Sequence, residues 1–498
     1  MKTLRFFKIL SLAFAIMIVN SCDESILDLQ PNAVTEEAYF AEEIEFERAV
    51  LGIYAKMTDF YWYNGGQNNC VLPVTLLPGD DITTTGQEEF EIFSNINPAS
   101  GRLSYFYSAI YQMIARANVV IEKVRAVEDG IYVTAGRKDA HLGEALFLRA
   151  YGHYLLWNIF GTAPVRNFRV KVIAEMNPTS SSGTELLDQA ITDLTEAATL
   201  LPATWDAANR GRVTKNSANG LLGKALVFKG TVTGAAADHQ AAITAFDKIA
   251  GASLVANFDD NHAFDTENNA ESLFEYQATQ AFGFDNIWLS NDFDNAVGAL
   301  SVYWGFYSNN FTMFGKPRFI ATQKLADMYP VGDPRKALTL NPANNNIRKY
   351  VSRDRSNQGG SSSVNNPRIL RYADILILKA EALNESNGST VEAINLLNQV
   401  RTRARGAGVE PANLSTGITD RAQIRQLIMN ERLMELAGEG ERYFDLRRWA
   451  LGSKITLNNA FFNSAIPTDL AFAAKHLNFP IPTSETDRNP NITQNEGY

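Results

Sequence analysis

A mainly α-helical repeat scaffold with long loop insertions and minor β is the fold class predicted for this 498-residue chain. Two observations predict it. Apolar and small residues recur at helical spacing in paired segments separated by short turns, and the stretches between those pairs switch to Asn, Asp, Gly, Ser and aromatic residues. The 45% of hydrophobic residues supplies enough apolar side chain for a substantial buried core.

The pairing is plainest in "RYADILILKAEALNESNGSTVEAINLLNQVRTRA". Ile377, Ala380 and Leu383 share one helical face, Ala393, Leu397 and Val400 share another, and "NESNGST" turns the chain between them. A small residue at the crossing lets two antiparallel helices approach, and a large one four residues later fills the groove. That is the logic of the tetratricopeptide repeat, with its period of about 34 residues. "ELLDQAITDLTEAATLLP" repeats the second half through Ala190, Leu194 and Ala197 and stops at Pro202; "GEALFLRAYGHYLLWNIFG" is its predicted partner. "NGLLGKALVFKG" and "AAITAFDKIAG" form a further pair through Ala225, Phe228, Ala242, Phe246 and Ile249. A helix is also predicted around Phe106 to Val124. Trp157 and Trp449 fall inside helices and are assigned to the core. An irregular helical domain without true repeats is the alternative.

The insertions have another character. Residues of about 258–310 are rich in Asn, Asp and aromatics, and "RDRSNQGGSSSVNNP" reads as a mobile loop, because Gly, Ser and Asn contribute little to a core. Long loops on a rigid scaffold are where binding residues usually sit.

At the N-terminus Lys2, Arg5 and Lys8 precede an apolar run from Ile9 to Val19, broken only by Ser11. This is the pattern of a secretory signal peptide, too short for a bilayer span of about 20 residues. Ser21-Cys22 closes the run and resembles a bacterial lipobox, in which the cysteine thiol is diacylated before cleavage. Residues 1–21 are then a lipoprotein signal peptide and Cys22 is the lipidation site. Two or three acyl chains anchor stably, since each buried CH₂ contributes about 0.8 kcal/mol. Asp23 and Glu24 are similar to the acidic signals that send some Gram-negative lipoproteins to the outer face of the outer membrane.

A formal net charge of −10 without a long Lys/Arg run argues against nucleic acid or anionic lipid as the main partner. With Cys22 acylated, Cys70 stands alone, so no intramolecular disulfide is expected. Catalytic signatures are missing: there is no G-x-S-x-G, no H-E-x-x-H and no phosphate-cradling glycine loop. The five histidines, His141, His153, His239, His262 and His476, lack metal-ligand spacing. No catalytic residue, metal or cofactor is assigned, and the chain is not expected to be an enzyme. Asp80 and Asp81 in "PGDDITTTGQEE" offer oxygen ligands without the spacing of a calcium loop, and they are read as a solvated acidic loop. In "MNERLMELAGEGERYFDLRRWA", Glu431 and Glu435 lie one helical turn apart, as do Glu441 and Asp445, with Arg442 and Arg448 among them. Interleaved carboxylates and arginines of this kind are expected to neutralise each other in buried networks rather than to clamp an anion.

These blocks also carry a family resemblance. "NERLMELAGEGERYFDLRRW", "RYADILILKAEALNE", "LLNQVRTRA", the ending "NFPIPTSETDRNPNITQNEGY" and the opening "LDLQPNAVTEEAYF" resemble the signature blocks of the SusD/RagB family of outer-membrane nutrient-binding lipoproteins. The resemblance implies a single α-helical domain over residues 22–498, built on four tetratricopeptide-like pairs. It also implies a SusC-like TonB-dependent transporter as partner, with the lipoprotein as its lid, and a glycan as the common ligand class.

A pyranose stacks its CH face on an aromatic ring and hydrogen-bonds its hydroxyls to amides and charged groups. Two stretches outside the repeats offer both. One carries Tyr61, Trp62, Tyr63, Asn64, Gln67 and Asn68, and the other carries Trp288, Asn291, Tyr303, Trp304, Tyr307 and Asn309. The reading is therefore a surface lipoprotein that binds an oligo- or polysaccharide and delivers it to its transporter without bond cleavage. Rival readings are the same transport role with a peptide or other nutrient, a pure protein-interaction scaffold, and a hydrolase with a carboxylate pair in a cleft.

Overall fold

A computed structural model describes residues 36–61, 72–84, 88–278, 319–350, 365–463 and 470–498. Its long helices are α1 (Glu43–Lys56), α2 (Gly101–Ala126), α3 (Arg137–Ile159), α4 (Glu185–Leu200), α5 (Lys215–Thr233), α6 (Ala236–Phe246), α7 (Tyr372–Glu385), α8 (Thr390–Arg405), α9 (Arg421–Leu436) and α10 (Arg442–Leu451). From α1 to α8 each helix packs on the next in chain order; α9 then lies on α7 and α8, and α10 on α5. Strands are few: β1 (Ile82–Thr84) pairs antiparallel with β3 (Phe319–Ala321), and β2 (Ser272–Glu275) with β4 (Arg368–Arg371).

Local chemistry sets the helix ends. Thr214 and Ser217 cap α5 reciprocally, each hydroxyl accepting the other's backbone N–H. Gly234, at φ 72°, ends the same helix in the left-handed conformation that glycine adopts without penalty. Ser389 and Asp420 cap α8 and α9 through their side-chain oxygens.

The packing follows the small-and-large scheme of the sequence. Ala190, Leu194 and Ala197 on α4 are fully buried, as are Ile377 and Ala380 on α7 and Ala393, Leu397 and Val400 on α8. At the α5–α6 crossing Gly223 receives the ring of Phe246; a Cβ at that glycine would lie 2.2 Å from the ring. Gly152 on α3 similarly admits Ile114 of α2, where a Cβ would lie 2.7 Å away. α6 ends at Phe246, so Ile249 packs from the turn beyond the helix rather than from within it. Pairing α1 with α2 completes four pairs: Phe40 meets Lys123 at one end, and Phe60 meets Phe106 with ring centroids 5.5 Å apart at the other. Trp157 and Trp449 are each 1% exposed, in the core.

A charged core runs beneath α7 to α10. Glu431 pairs with Arg335 (2.6 Å) and Arg401 (2.7 Å). Glu435 accepts from Arg371 (2.8 Å), Arg335 (3.1 Å) and Arg403. Arg432 bridges Asp374 and Asp445, both at 2.6 Å, and Arg448 binds Glu381 and Asp445. Arginine forks meeting carboxylates in this way satisfy charges that could not be buried alone.

Asp80 and Asp81 correct a sequence expectation. They do not form a solvated loop; both are buried. Arg442 and Lys324 close on Asp80 at 2.5 and 2.7 Å, and Asp81 accepts the Gly438 N–H at 3.1 Å. Burial would raise the Asp80 carboxyl, but Arg442 and Lys324 outweigh it and hold it at about 2. Burial pushes Asp81 up to about 6, its neighbour Asp80 adding to the effect.

The segment 478–498 straps the array. Asn495 donates to the carbonyls of Phe160 and Phe479, Asn489 to that of Pro178 and Asn491 to that of Asn177.

Candidate functional site

The sequence places aromatic and amide-rich stretches outside the repeats, and the structure describes the residues that flank them. Tyr61 ends the short helix Thr58–Tyr61, just before the first stretch continues. Its ring stacks on that of Tyr276, with centroids 4.8 Å apart and planes at 26°. Tyr276 follows β2 directly and lies two residues before Ala278, which precedes Trp288 of the second stretch by ten residues. The Tyr276 N–H donates to the carbonyl of Pro367 at 3.0 Å, and the Ala278 N–H donates to the Asn366 side chain at 2.7 Å. Three points of the chain, near residues 61, 278 and 366, are thus held at one place. The β2–β4 ladder explains two of them, and the Tyr61–Tyr276 stack brings in the third.

A small cleft of about 60 Å³ opens there. Phe60, Tyr61, Phe106, Tyr151 and Phe444 form its aromatic wall, and Arg368, Glu439 and Glu441 supply its charge. Arg368 is tied down by Asn365 (2.6 Å), the Ala263 carbonyl (2.9 Å) and Glu275 (3.3 Å). Glu439 is held by Lys349 (2.6 Å) and Arg371 (2.8 Å). Burial would raise its carboxyl, but these two cations keep it well below the carboxylate range. Glu441 meets Lys224 at 2.7 Å; burial nevertheless pushes it up to about 7. Each carboxylate of the cleft is engaged by a buried cation, so the pair serves as a rigid base for the aromatic wall.

Of the ligand residues expected from sequence, Tyr61 is the one the structure describes. It is 8% exposed, a ring face is covered by Tyr276, and it belongs to the aromatic wall of the cleft. Trp62, Tyr63, Asn64, Gln67, Asn68, Trp288, Asn291, Tyr303, Trp304, Tyr307 and Asn309 lie outside the described residues, as do Cys22, the signal segment and the loop residues 353–364. The inserted region of about 258–310 is described as far as residue 278, where it carries the 3₁₀ turns Phe258–Asn261 and Phe264–Thr266 and then β2. Sequence reasoning did not find Tyr276, Tyr151 or Arg368. The run "SLFEYQ", with an aromatic closing a strand-like alternation, is the signal that could have indicated Tyr276.

The five histidines are all buried. Among the described residues no group of three or more His, Cys, Asp or Glu side chains is placed to hold a metal ion, and no helix is long and apolar enough to cross a membrane.

Comparison with known proteins gives two family matches. A profile described as "SusD family" matches residues 322–498, and one described as "Starch-binding associating with outer membrane" matches residues 27–226. SusD-like protein P2 of Formosa agariphila is 27% identical over 500 residues, covering 95% of this chain and 96% of the relative. A SusD-like protein of Bacteroides ovatus is 23% identical over 478 residues, covering 89% and 82%. Among solved structures, a laminarin-binding SusD-like protein superposes with a TM-score of 0.72 at 25% identity, over 92% of this chain and all of that one. Surface glycan-binding protein A from Bacteroides fluxus shares the fold at a TM-score of 0.72 and 23% identity, with the same coverage.

Proposed function

The chain belongs to the SusD/RagB family, and from that premise we propose that it is an outer-membrane-associated lipoprotein that binds a glycan and delivers it to a SusC-like TonB-dependent transporter. The observation that supports the ligand reading is the Tyr61–Tyr276 stack, which joins two described residues of the segments that lead to the stretches rich in Trp, Tyr and Asn. Aromatic faces and amides converging at one place are what a pyranose needs for stacking and hydroxyl recognition. The similarity to a laminarin-binding SusD-like protein and to a surface glycan-binding protein agrees with that chemistry. Lipid attachment at Cys22, display on the outer face of the outer membrane and hinged handover to the transporter complete the proposal. The action is binding without bond cleavage.

The test is calorimetric titration of the protein with a panel of plant, fungal and host glycans, beside Trp62→Ala and Trp304→Ala variants. Saturable binding weakened at least tenfold, or about 1.4 kcal/mol, by either substitution is the expected result. A folded protein that binds no glycan on the panel would overturn the ligand class and leave a peptide or other nutrient in its place.

A further inference from the structure

Among the described residues ten large apolar side chains stand exposed, and seven of them gather at one end of the helical array. Five belong to the connection between α3 and α4: Phe168, Val170, Val172, Ile173 and Met176, with Ile173 84% exposed. The other two are Ile44, in the first turn of α1, and Val133, between α2 and α3. The last turns of α2 contact the connection directly, Phe40 links them to the start of α1, and Glu43 of α1 holds the Val133 segment. Asn118 donates to the carbonyl of Phe168 at 2.9 Å, and Glu122 pairs with Lys171 at 2.9 Å and Arg169 at 3.6 Å, so the connection runs along α2 toward its C-terminal end. Lys123, the next residue, lies over the Phe40 ring at 5.7 Å, and Glu43 accepts the N–H groups of Val133 and Thr134 at 2.7 and 2.8 Å. Behind the connection an apolar groove of about 720 Å³ continues the surface between Tyr111, Ile114 and Ile492. Exposed apolar side chains gathered in this way mark a docking surface.

Two features select a lipid surface as its occupant. In "RNFRVKVIAEM", from Arg166 to Met176, the basic residues Arg166, Arg169 and Lys171 are interleaved with exposed apolar side chains, in a chain whose formal net charge is −10. Basic side chains suit anionic headgroups while apolar neighbours enter the layer beneath. The chain also leads into the described body at this same end, where Phe40 sits beneath Lys123. Cys22 precedes Glu36 by fourteen residues, a contour length of at most about 50 Å. We propose that this end of the array seats on the lipid surface to which Cys22 is tethered, with residues 166–176 in the headgroup layer. The proposal rests on the acylation of Cys22 put forward above.

The test uses the full chain carrying Cys70→Ser with either Ile173→Cys or Val331→Cys. Each is labelled with an environment-sensitive fluorophore and reconstituted in vesicles of phosphatidylethanolamine and phosphatidylglycerol that contain nitroxide-labelled lipid. Val331 is 97% exposed and is not part of the patch. The expected result is a blue-shifted emission at position 173, quenched by the nitroxide at least twofold more than at position 331. Equal quenching at the two positions overturns the proposal. So does a probe at 173 that stays in water on vesicles alone and is shielded only when the transporter is added, which would assign the patch to a protein partner. The mass of the Cys22 peptide reports acylation independently. If Cys22 is unmodified, the same comparison with excess vesicles decides the surface by itself.

Discussion

Replacing Glu435 with glutamine keeps the size of the side chain and removes one charge from the centre of the buried ionic core. The carboxylate is inaccessible to solvent and accepts from Arg371, Arg335 and Arg403. Burial alone would raise its carboxyl, but Arg403, Arg371 and Arg335 outweigh it and hold it at about 2, against an ordinary 4.5. At 1.36 kcal/mol per unit that difference is worth about 3 kcal/mol of folding stability at neutral pH. The figure agrees with the roughly 3–5 kcal/mol lost when one partner of a buried ion pair is removed. In Glu435→Gln the amide nitrogen also turns a donor toward guanidinium groups that are themselves donors. Because the folded carboxyl lies below its unfolded value, its contribution is fully present above about pH 4.5 and is lost as the pH falls through about 2. Urea unfolding followed by far-UV circular dichroism is therefore expected to show a deficit of about 3 kcal/mol at pH 7, shrinking to little more than 1 kcal/mol at pH 3. A deficit below about 1 kcal/mol at pH 7, or one that does not change on acidification, would refute the assignment of stability to this network.

Glu267 titrates in the opposite sense. Burial pushes its carboxyl up to about 7, against the Asn366 N–H and Arg368, so its contribution is full below about pH 4.5 and lost as the pH rises through 7. Thermal unfolding of Glu267→Gln should show the variant gaining on the parent by about 2.5 kcal/mol between pH 5 and pH 8. At the α5–α6 crossing Gly223→Ala places a methyl 2.2 Å from the Phe246 ring. Overpacking of about 1–3 kcal/mol should outweigh the roughly 1 kcal/mol gain in helix propensity, lowering the unfolding midpoint, and combining the change with Phe246→Leu should restore part of the loss.

What could be read from sequence was the part of the fold whose determinants are local. α7 and α8 are separated by four residues, so both faces of the pair and its turn are written in one continuous stretch. The pairing of α1 with α2 was not legible, because 44 residues with short helices and a strand intervene. The glutamate–arginine run from 430 to 449 announced a neutralised core because the opposite charges alternate along the same helices. Asp80 and Asp81 were misread for the converse reason. A doublet beside glycine suggests solvent, and nothing local shows that Arg442, 362 residues later, covers the first carboxylate. The candidate site divides in the same way. Composition picked out the aromatic stretches, whereas the covering of Tyr61 by a ring 215 positions away depends on the β2–β4 ladder and has no local trace.

The strap formed by residues 478–498 has a consequence for how such a chain can change. In an open array of helix pairs each unit touches only its neighbours, so a pair can be duplicated or deleted and the ends simply move apart or together. Here Asn489, Asn491 and Asn495 reach back more than 300 positions to the carbonyls of Pro178, Asn177 and Phe160. Deleting α5 and α6 would draw those donors away from acceptors that remain on the α3 side, leaving buried polar groups unmet. The number of pairs is therefore locked, and variation in length is confined to the connections between them, where the sequence carries its aromatic and amide-rich stretches.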